Sequence, residues 1–259
     1  MGYDSIMVAV GDDYVGEITL NRPKNLNTFT TSLAEELSQA LLDLDVDQQV
    51  RVIIIKGAGK AFCAGIDVSD FFDKTASEYR EWIECMETPL GTISRMKKPV
   101  IAQVHGVAAA NGAGLVAACD LAVVSERSRF GLTAINVGLN CVGPIVPVSQ
   151  SIGRKRALEL LLYGDLINAE KALAMGLVNK VVPEDELGKI TREWAVLLAQ
   201  KSPVAVQIAK KSFYTAADMD YYKAFDYMNE AFARLCTTED AKEGVSAFLE
   251  KRSPVWKEK

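Results

Sequence analysis

Apolar residues at Leu33, Leu37, Ala40, Leu41 and Leu44 recur at helical spacing, and Ser32 with Glu35 has the form of a capping box. Together they predict a helix from about Ser32 to Asp45. Upstream, Ile6–Val10 and Val15–Leu20 read as two short strands joined around Gly11-Asp12-Asp13 as a hairpin, with Pro23 ending the unit. Val52 to Ile55 follows as a buried strand, and Phe71 to Met96 as an amphipathic helix rich in aromatic side chains. Val100–Val104 is again apolar and β-compatible. The chain then turns at Gly106, runs through small residues, and becomes helical at about Asn111 or Gly112. Leu121–Ser125 reads as a strand, Phe130 to Pro147 as a loop, Arg154 to Leu162 and Asn168 to Met175 as short helices, and Leu177 to Val182 as a strand closed by Pro183. From Glu184 onward the pattern is helical, with breaks near Ser202-Pro203 and at Asp218. Strands alternating with helices predict an α/β fold in which helices cover a sheet, followed by a helical region from about residue 200.

Composition narrows the function classes. The 259 residues carry a net charge of -5 with signs interspersed, and no basic run marks a phosphate-binding face for nucleic acid. Five cysteines, at 63, 85, 119, 141 and 236, form no Cys-x-x-Cys pair, so neither a disulfide framework nor a zinc ribbon is expected. No metal is expected. The longest apolar stretch, Ala113 to Val124, is broken by Asp120, and the first residues lack the layout of a signal peptide. A soluble, cytoplasmic protein without membrane or nucleic-acid partners is the expectation.

Two glycine-rich segments follow apolar strands. Gly57-Ala-Gly-Lys-Ala-Phe-Cys-Ala-Gly65 matches neither the Walker phosphate loop nor the Gly-x-Gly-x-x-Gly dinucleotide fingerprint, so nucleotide chemistry is not indicated. The second segment opens a helix near Asn111. The start of a helix presents unpaired amides and the positive end of its dipole, a seat for negative charge. If the charge is an oxygen in a reaction intermediate, that seat is an oxyanion hole. A tightly packed strand-to-helix corner would produce the same small residues.

Seven segments, in order, resemble the crotonase (enoyl-CoA hydratase/isomerase) superfamily: Leu20-Asn-Arg-Pro-Lys24, Lys60-Ala-Phe-Cys-Ala-Gly-Ile-Asp67, Lys98-Pro-Val-Ile-Ala102, Val104-His-Gly106, Cys119-Asp-Leu121, Ala172 to Val178, and Glu243-Gly-Val-Ser-Ala-Phe-Leu-Glu-Lys-Arg252. The resemblance implies a crotonase-like spiral of β-β-α units over residues 1–199, carrying a CoA site. A helical trimerisation region would follow over 200–259, in a homotrimer or a dimer of trimers. It implies lyase or isomerase chemistry of the fatty-acid type on an acyl-CoA thioester, with no cofactor beyond the coenzyme A of the substrate. By position, the backbone amides of Ile66 and Asn111 would form the oxyanion hole, although the family usually has glycine where Asn111 stands. Lys24, Ala64, Phe248 and Lys251 would meet CoA, the last two in some cases for a neighbouring subunit. A solvated surface charge explains each lysine equally well.

The resemblance fails at the acid–base positions. Hydratases of this family use two glutamates to hold and split a water, and those positions are Gly114 and Ala134 here. The carboxylate of some family isomerases would fall near Cys141 and Val142 and is also missing. Nearby candidates are Asp67, Asp70, Asp73 and Glu84 on one side, and Asn136, Asn140 and Cys141 on the other. Asp67 is expected to act as a cap, and His105, the lone histidine, as a hydrogen-bonded turn residue. Cys141 would need a lowered pKa to serve as acid or nucleophile. Three readings remain at this level: an acyl-CoA enzyme using the oxyanion hole with non-standard groups, a malonyl-CoA-type decarboxylase, or a non-catalytic acyl-CoA binder or scaffold.

Overall fold

The computed structural model describes residues 2–69 and 71–259. Six strands form the main sheet. They are β1 (Ile6–Val10), β2 (Val15–Leu20), β3 (Val52–Gly57), β4 (Val100–Val104), then β6 (Leu121–Ser125) and β9 (Lys180–Val182), side by side in that order. β1 pairs antiparallel with β2, and every later neighbour is parallel. A smaller sheet joins β5 (Val107–Ala109), β7 (Arg129–Gly131) and β8 (Ile167–Asn168), and Cys63 adds a parallel bridge to its Ala108 edge.

Parallel strands need long crossovers, and the three after β3 place residues in or against the smaller sheet before their helices. β3 leads through the Cys63 bridge to α2 (Ala76–Arg95), β4 through β5 to α3 (Asn111–Ala118), and β6 through β7 to α4 (Ile145–Ile152) and α5 (Arg154–Tyr163). This is the β-β-α spiral that the resemblance implies. α6 (Ala169–Met175) returns the chain to β9, and α7 (Leu187–Ala199), α8 (Pro203–Ala216), α9 (Tyr221–Cys236) and α10 (Glu239–Glu250) complete it. Among the described residues no helix is long and apolar enough to cross a membrane.

Period-two alternation puts the two faces of the sheet into separate cores. Ile53, Ile55, Val100, Ala102 and Val124 pack with α1 (Thr31–Val46), α2 and α3, whereas Val52, Ile54, Ile101 and Val123 pack against Leu187, Ala195 and Ala199 of α7. A three-way polar knot ties α8 to this frame. Asp120, at the start of β6, accepts from Lys210 Nζ at 2.7 Å, from Tyr214 Oη at 3.0 Å and from the Val100 amide at 2.7 Å.

Four boundaries differ from the sequence expectation. The first helix is capped by Thr30, whose extended backbone lets its hydroxyl accept from the Leu33 amide, while Ser32 lies inside the helix and donates to Glu36. The helix expected from Phe71 begins at Ala76, because Asp73 has a left-handed φ of 63° and Thr75 with Glu78 forms the capping box. The stretch from Phe130 to Pro147 is not plain loop: it holds the end of β7, a 3-10 turn over Thr133–Val137 and the start of α4. The strand expected from Leu177 is confined to β9, since Leu177 still donates back to Ala172 at the end of α6.

Candidate active site

The two glycine-rich segments meet. Phe62 donates to the His105 carbonyl at 3.0 Å, Cys63 to Val107 at 3.1 Å, and Ala109 back to Cys63 at 2.9 Å. A β-carbon at Gly112 would run into the Cys63 carbonyl, so this approach requires glycine.

Beyond the bridge, the amides on either side of Ile66 are consumed by Phe29. Phe29 donates to Gly65 at 2.8 Å and Asp67 donates to Phe29 at 2.8 Å. In a parallel bridge of this kind the N–H of Ile66 itself points the other way. On the second segment, Ala110 donates to Gly131 at 2.8 Å, and the first helical bond of α3 is Gly114 to Ala110 at 3.0 Å, leaving the Asn111 amide ahead of the ladder. Among the described residues neither the Ile66 nor the Asn111 amide has a hydrogen-bond acceptor. The Asn111 side chain is buried and donates to the Met86 carbonyl of α2 at 3.2 Å, so it is turned away into the protein.

Ile66 and Asn111 line one cavity of about 360 Å³. Val68, Phe71, Tyr79, Trp82 and Ile83 give it an apolar and aromatic wall, and Ala134, Leu139 and Cys141 close the opposite side. Such a space, mostly apolar with a few convergent polar groups, has the form of a small-molecule site.

Comparison with known proteins identifies the family. The enoyl-CoA hydratase/isomerase family model matches residues 11–259. The chain belongs to the enoyl-CoA hydratase/isomerase family. It is 36% identical over 245 residues to the human enoyl-CoA hydratase domain-containing protein 3, mitochondrial, covering 94% of this chain and 81% of that protein. A short-chain-enoyl-CoA hydratase from Clostridium acetobutylicum is 32% identical over 240 residues, with 92% of each covered. Among solved structures, an enoyl-CoA hydratase from Mycobacterium smegmatis superposes with a TM-score of 0.95 at 36% identity, covering 98% of this chain and 99% of that one.

The two positions where the resemblance would place glutamates differ in kind. Ala134 borders the cavity. Gly114 is walled off, because a β-carbon there would stand 2.7 Å from Pro144 Cβ and 3.0 Å from Leu90 Cδ2. The expected substitutes are mostly elsewhere. Asp67 caps no helix: it pairs with Arg22 at 2.9 Å and accepts the Ser69 amide at 3.2 Å, and the Arg22 hydrogen bond, helped by Ser69, holds its carboxyl below the usual carboxylate range. Asp73 is exposed, and Glu84 is exposed and paired with Arg80 at 2.8 Å. Asp70 lies outside the described residues. Asn136 donates to the Gly164 carbonyl, and His105 bonds the Gly59 carbonyl at 2.9 Å as a turn residue. Asn140 and Cys141 do line the cavity. Burial pushes the Cys141 thiol up, against a backbone hydrogen bond with Ala134 that lowers it, so the environment favours the thiol over the thiolate.

The positions assigned to CoA are spread around the rim and the surface. Ala64 lines the cavity and donates to the Leu26 carbonyl at 3.0 Å. Lys24 sits exposed on a 3-10 turn over Pro23–Asn25. Phe248 is 79% exposed on α10, and Lys251 caps that helix with a φ of 56°.

One acid in the cavity was not among the sequence candidates. Glu87 of α2 lines the wall, and its Oε1 is buried with no hydrogen-bond partner among the described residues. A β-carbon at Gly143 would fall on its carboxylate, so that glycine leaves the space the acid fills. Burial pushes the Glu87 carboxyl up, the charge of Glu84 adds to the rise, and the Gly143 backbone opposes both. The sequence did hold one signal. Ile83, Glu87 and Leu90 fall at i, i+4 and i+7, which puts a lone carboxylate on an apolar helix face.

Proposed function

We propose that the protein acts on an acyl-CoA thioester, holding its carbonyl oxygen with the Ile66 and Asn111 amides while negative charge gathers there, in lyase- or isomerase-type chemistry that does not use the two-glutamate hydration mechanism. The observation that carries this reading is the arrival of two acceptor-free amides, from separate segments, at one apolar cavity in a chain of this family. Two fixed donors in a dry site stabilise a developing oxyanion by about 3 kcal/mol each, by analogy with donors removed from other oxyanion holes. In this reading the aromatic wall receives an apolar acyl group, and Lys24, Ala64, Phe248 and Lys251 receive CoA. The chain assembles as a homotrimer or a dimer of trimers, an arrangement supported by the exposed aromatic side chains Tyr221, Tyr222, Phe225 and Phe232 on α9.

The test is a thermal-shift titration with acetyl-CoA and crotonyl-CoA. Ligand at about 100 times its dissociation constant stabilises by about 2.7 kcal/mol. No shift at millimolar ligand counts against the reading. Crotonyl-CoA is expected to bind but to hydrate poorly, and turnover at about 1 per second or faster, within the ordinary enzyme range, overturns the mechanistic part.

A further inference from the structure

Glu87 stands between two cavities. Besides the one lined by Ile66 and Asn111, a second of about 380 Å³ lies behind α2, bordered by Leu90, Ala117, Gly143, Tyr214 and Asp218. Among the described residues Glu87 alone lines both. Its carboxylate rests against Gly143, next to the Pro144 that fills the space beside Gly114. It therefore sits close to the position the family gives to a glutamate on the next helix. The Asn111 side chain, bonded to the Met86 carbonyl, ties the residue before Glu87 to the start of α3. One oxyanion donor and the acid are thus held in fixed relation.

We propose that Glu87 is the catalytic acid–base of this site, a single carboxylate supplied by α2 that moves a proton at the carbon next to the thioester carbonyl. The inference rests on the acyl-CoA reading above. The carboxylate takes a proton from the α-carbon; the C–H bond breaks, an O–H bond forms on Glu87, and the electron pair passes into the carbonyl to give an enolate whose oxygen meets the Ile66 and Asn111 amides. The protonated acid returns the proton to the α-carbon, which is exchange, or to the γ-carbon of a β,γ-unsaturated chain, which moves the double bond into conjugation. No water or other reactant is consumed. One carboxylate suffices for this chemistry, whereas hydration must also hold and split a water.

The buried, partner-free Oε1 and the raised carboxyl support the assignment, because a general base works best with a pKa brought toward the operating pH. The other titratable groups around it are Glu84 on its own helix, Tyr79 and Cys141 in the first cavity, and Tyr214 and Asp218 in the second.

The experiment follows deuterium uptake at the α-carbon of butyryl-CoA in D2O, and conversion of 3-hexenoyl-CoA to the conjugated isomer. It uses the wild type, Glu87→Gln, Gly143→Ala and Glu84→Gln, with binding of each acyl-CoA measured in parallel by thermal shift. The expected result is exchange or isomerisation by the wild type that falls about 100-fold or more in Glu87→Gln with binding retained. Gly143→Ala, which forces the carboxylate aside, should fall with it, whereas Glu84→Gln, which removes a charge that raises Glu87, should keep the plateau rate and move the ionisation to lower pH. The wild-type rate should rise with pH through one ionisation that Glu87→Gln lacks. Undiminished rates in Glu87→Gln overturn the assignment, as does a wild type that binds both thioesters yet catalyses neither reaction. A wild type that binds neither thioester overturns the acyl-CoA reading, and this inference with it.

Discussion

Pro144 occupies the space into which a side chain at Gly114 would point, its Cβ 2.7 Å and its Cα 2.9 Å from where a β-carbon would stand. A side chain at this position, where the resemblance would place an acid, is therefore excluded by the packing. Gly114→Glu is expected not to create a hydratase but to destabilise the protein by about 3 kcal/mol, since backbone and Leu90 must move to admit even the first carbon. Urea unfolding together with a crotonyl-CoA hydration assay checks both halves. Hydration gained at unchanged stability would show that the site accommodates an acid there.

The Arg22–Asp67 pair joins the two motifs that carry Lys24 and Ile66, and its pH dependence has a definite sign. The Asp67 carboxyl is depressed, chiefly by the Arg22 hydrogen bond. Its stabilisation is thus fully present above the unfolded carboxylate value of about 3.9 and is lost as pH falls through the lower folded value. Asp67→Asn is expected to cost about 1.5 to 3 kcal/mol at pH 7, the range for hydrogen bonds to charged groups. The gap between wild type and variant should shrink progressively below about pH 4. Urea denaturation at pH 7 and pH 3 makes the comparison, and a gap independent of pH would remove the ion pair from the account.

Much of the frame was legible because each strand is short, apolar and bounded by turn residues. The hairpin of β1 and β2, strands β4 and β6, and the start of α3 all fall where the pattern places them. The convergence of the glycine-rich segments was legible in part, from two glycine-rich loops following two strands, but the direction of each amide depends on the Phe29 and Gly131 partners, which lie far away in sequence. Cap positions slipped where two hydroxyl residues compete. Thr30 and Ser32 both have a helix to serve, and only the extended backbone at Thr30 decides between them. Glu87 escaped because no motif contains it, and its partner in space, Gly143, lies in a stretch with no periodic signal.

Lys210 is buried on α8 and bonds Asp120 and the Lys98 carbonyl, which lie just before the interior strands β6 and β4 of the main sheet. Removing its charge while keeping its bulk, Lys210→Met, leaves Asp120 only the Tyr214 hydroxyl and the Val100 amide. A loss of about 3 kcal/mol is expected, because a largely buried carboxylate loses its counter-charge. Hydrogen exchange should locate the loosening in α8 first. A variant as stable as the wild type would mean that the knot contributes position without net energy.

Ala110 precedes the Asn111 amide with φ 47° and ψ −116°, a conformation that only glycine adopts without strain. Backbone strain of this kind costs about 1 to 3 kcal/mol. Replacing it with glycine releases that strain but frees the unfolded chain, which offsets about 0.4 to 1 kcal/mol. Ala110→Gly is therefore expected to stabilise the fold by about 1 kcal/mol, a rise in Tm of about 2 to 4 °C for a chain of this size, readable by calorimetry. It also removes the methyl group that lies against Gly65 on the opposing segment, where the approach to a β-carbon on Gly65 is 3.1 Å. If the alanine holds the two segments at their separation, the variant gains stability while the Ile66 and Asn111 amides lose their fixed spacing. Acyl-CoA turnover should then fall while binding persists. Unchanged turnover alongside the higher Tm would assign the strain to the backbone alone and give the alanine no part in positioning the amides.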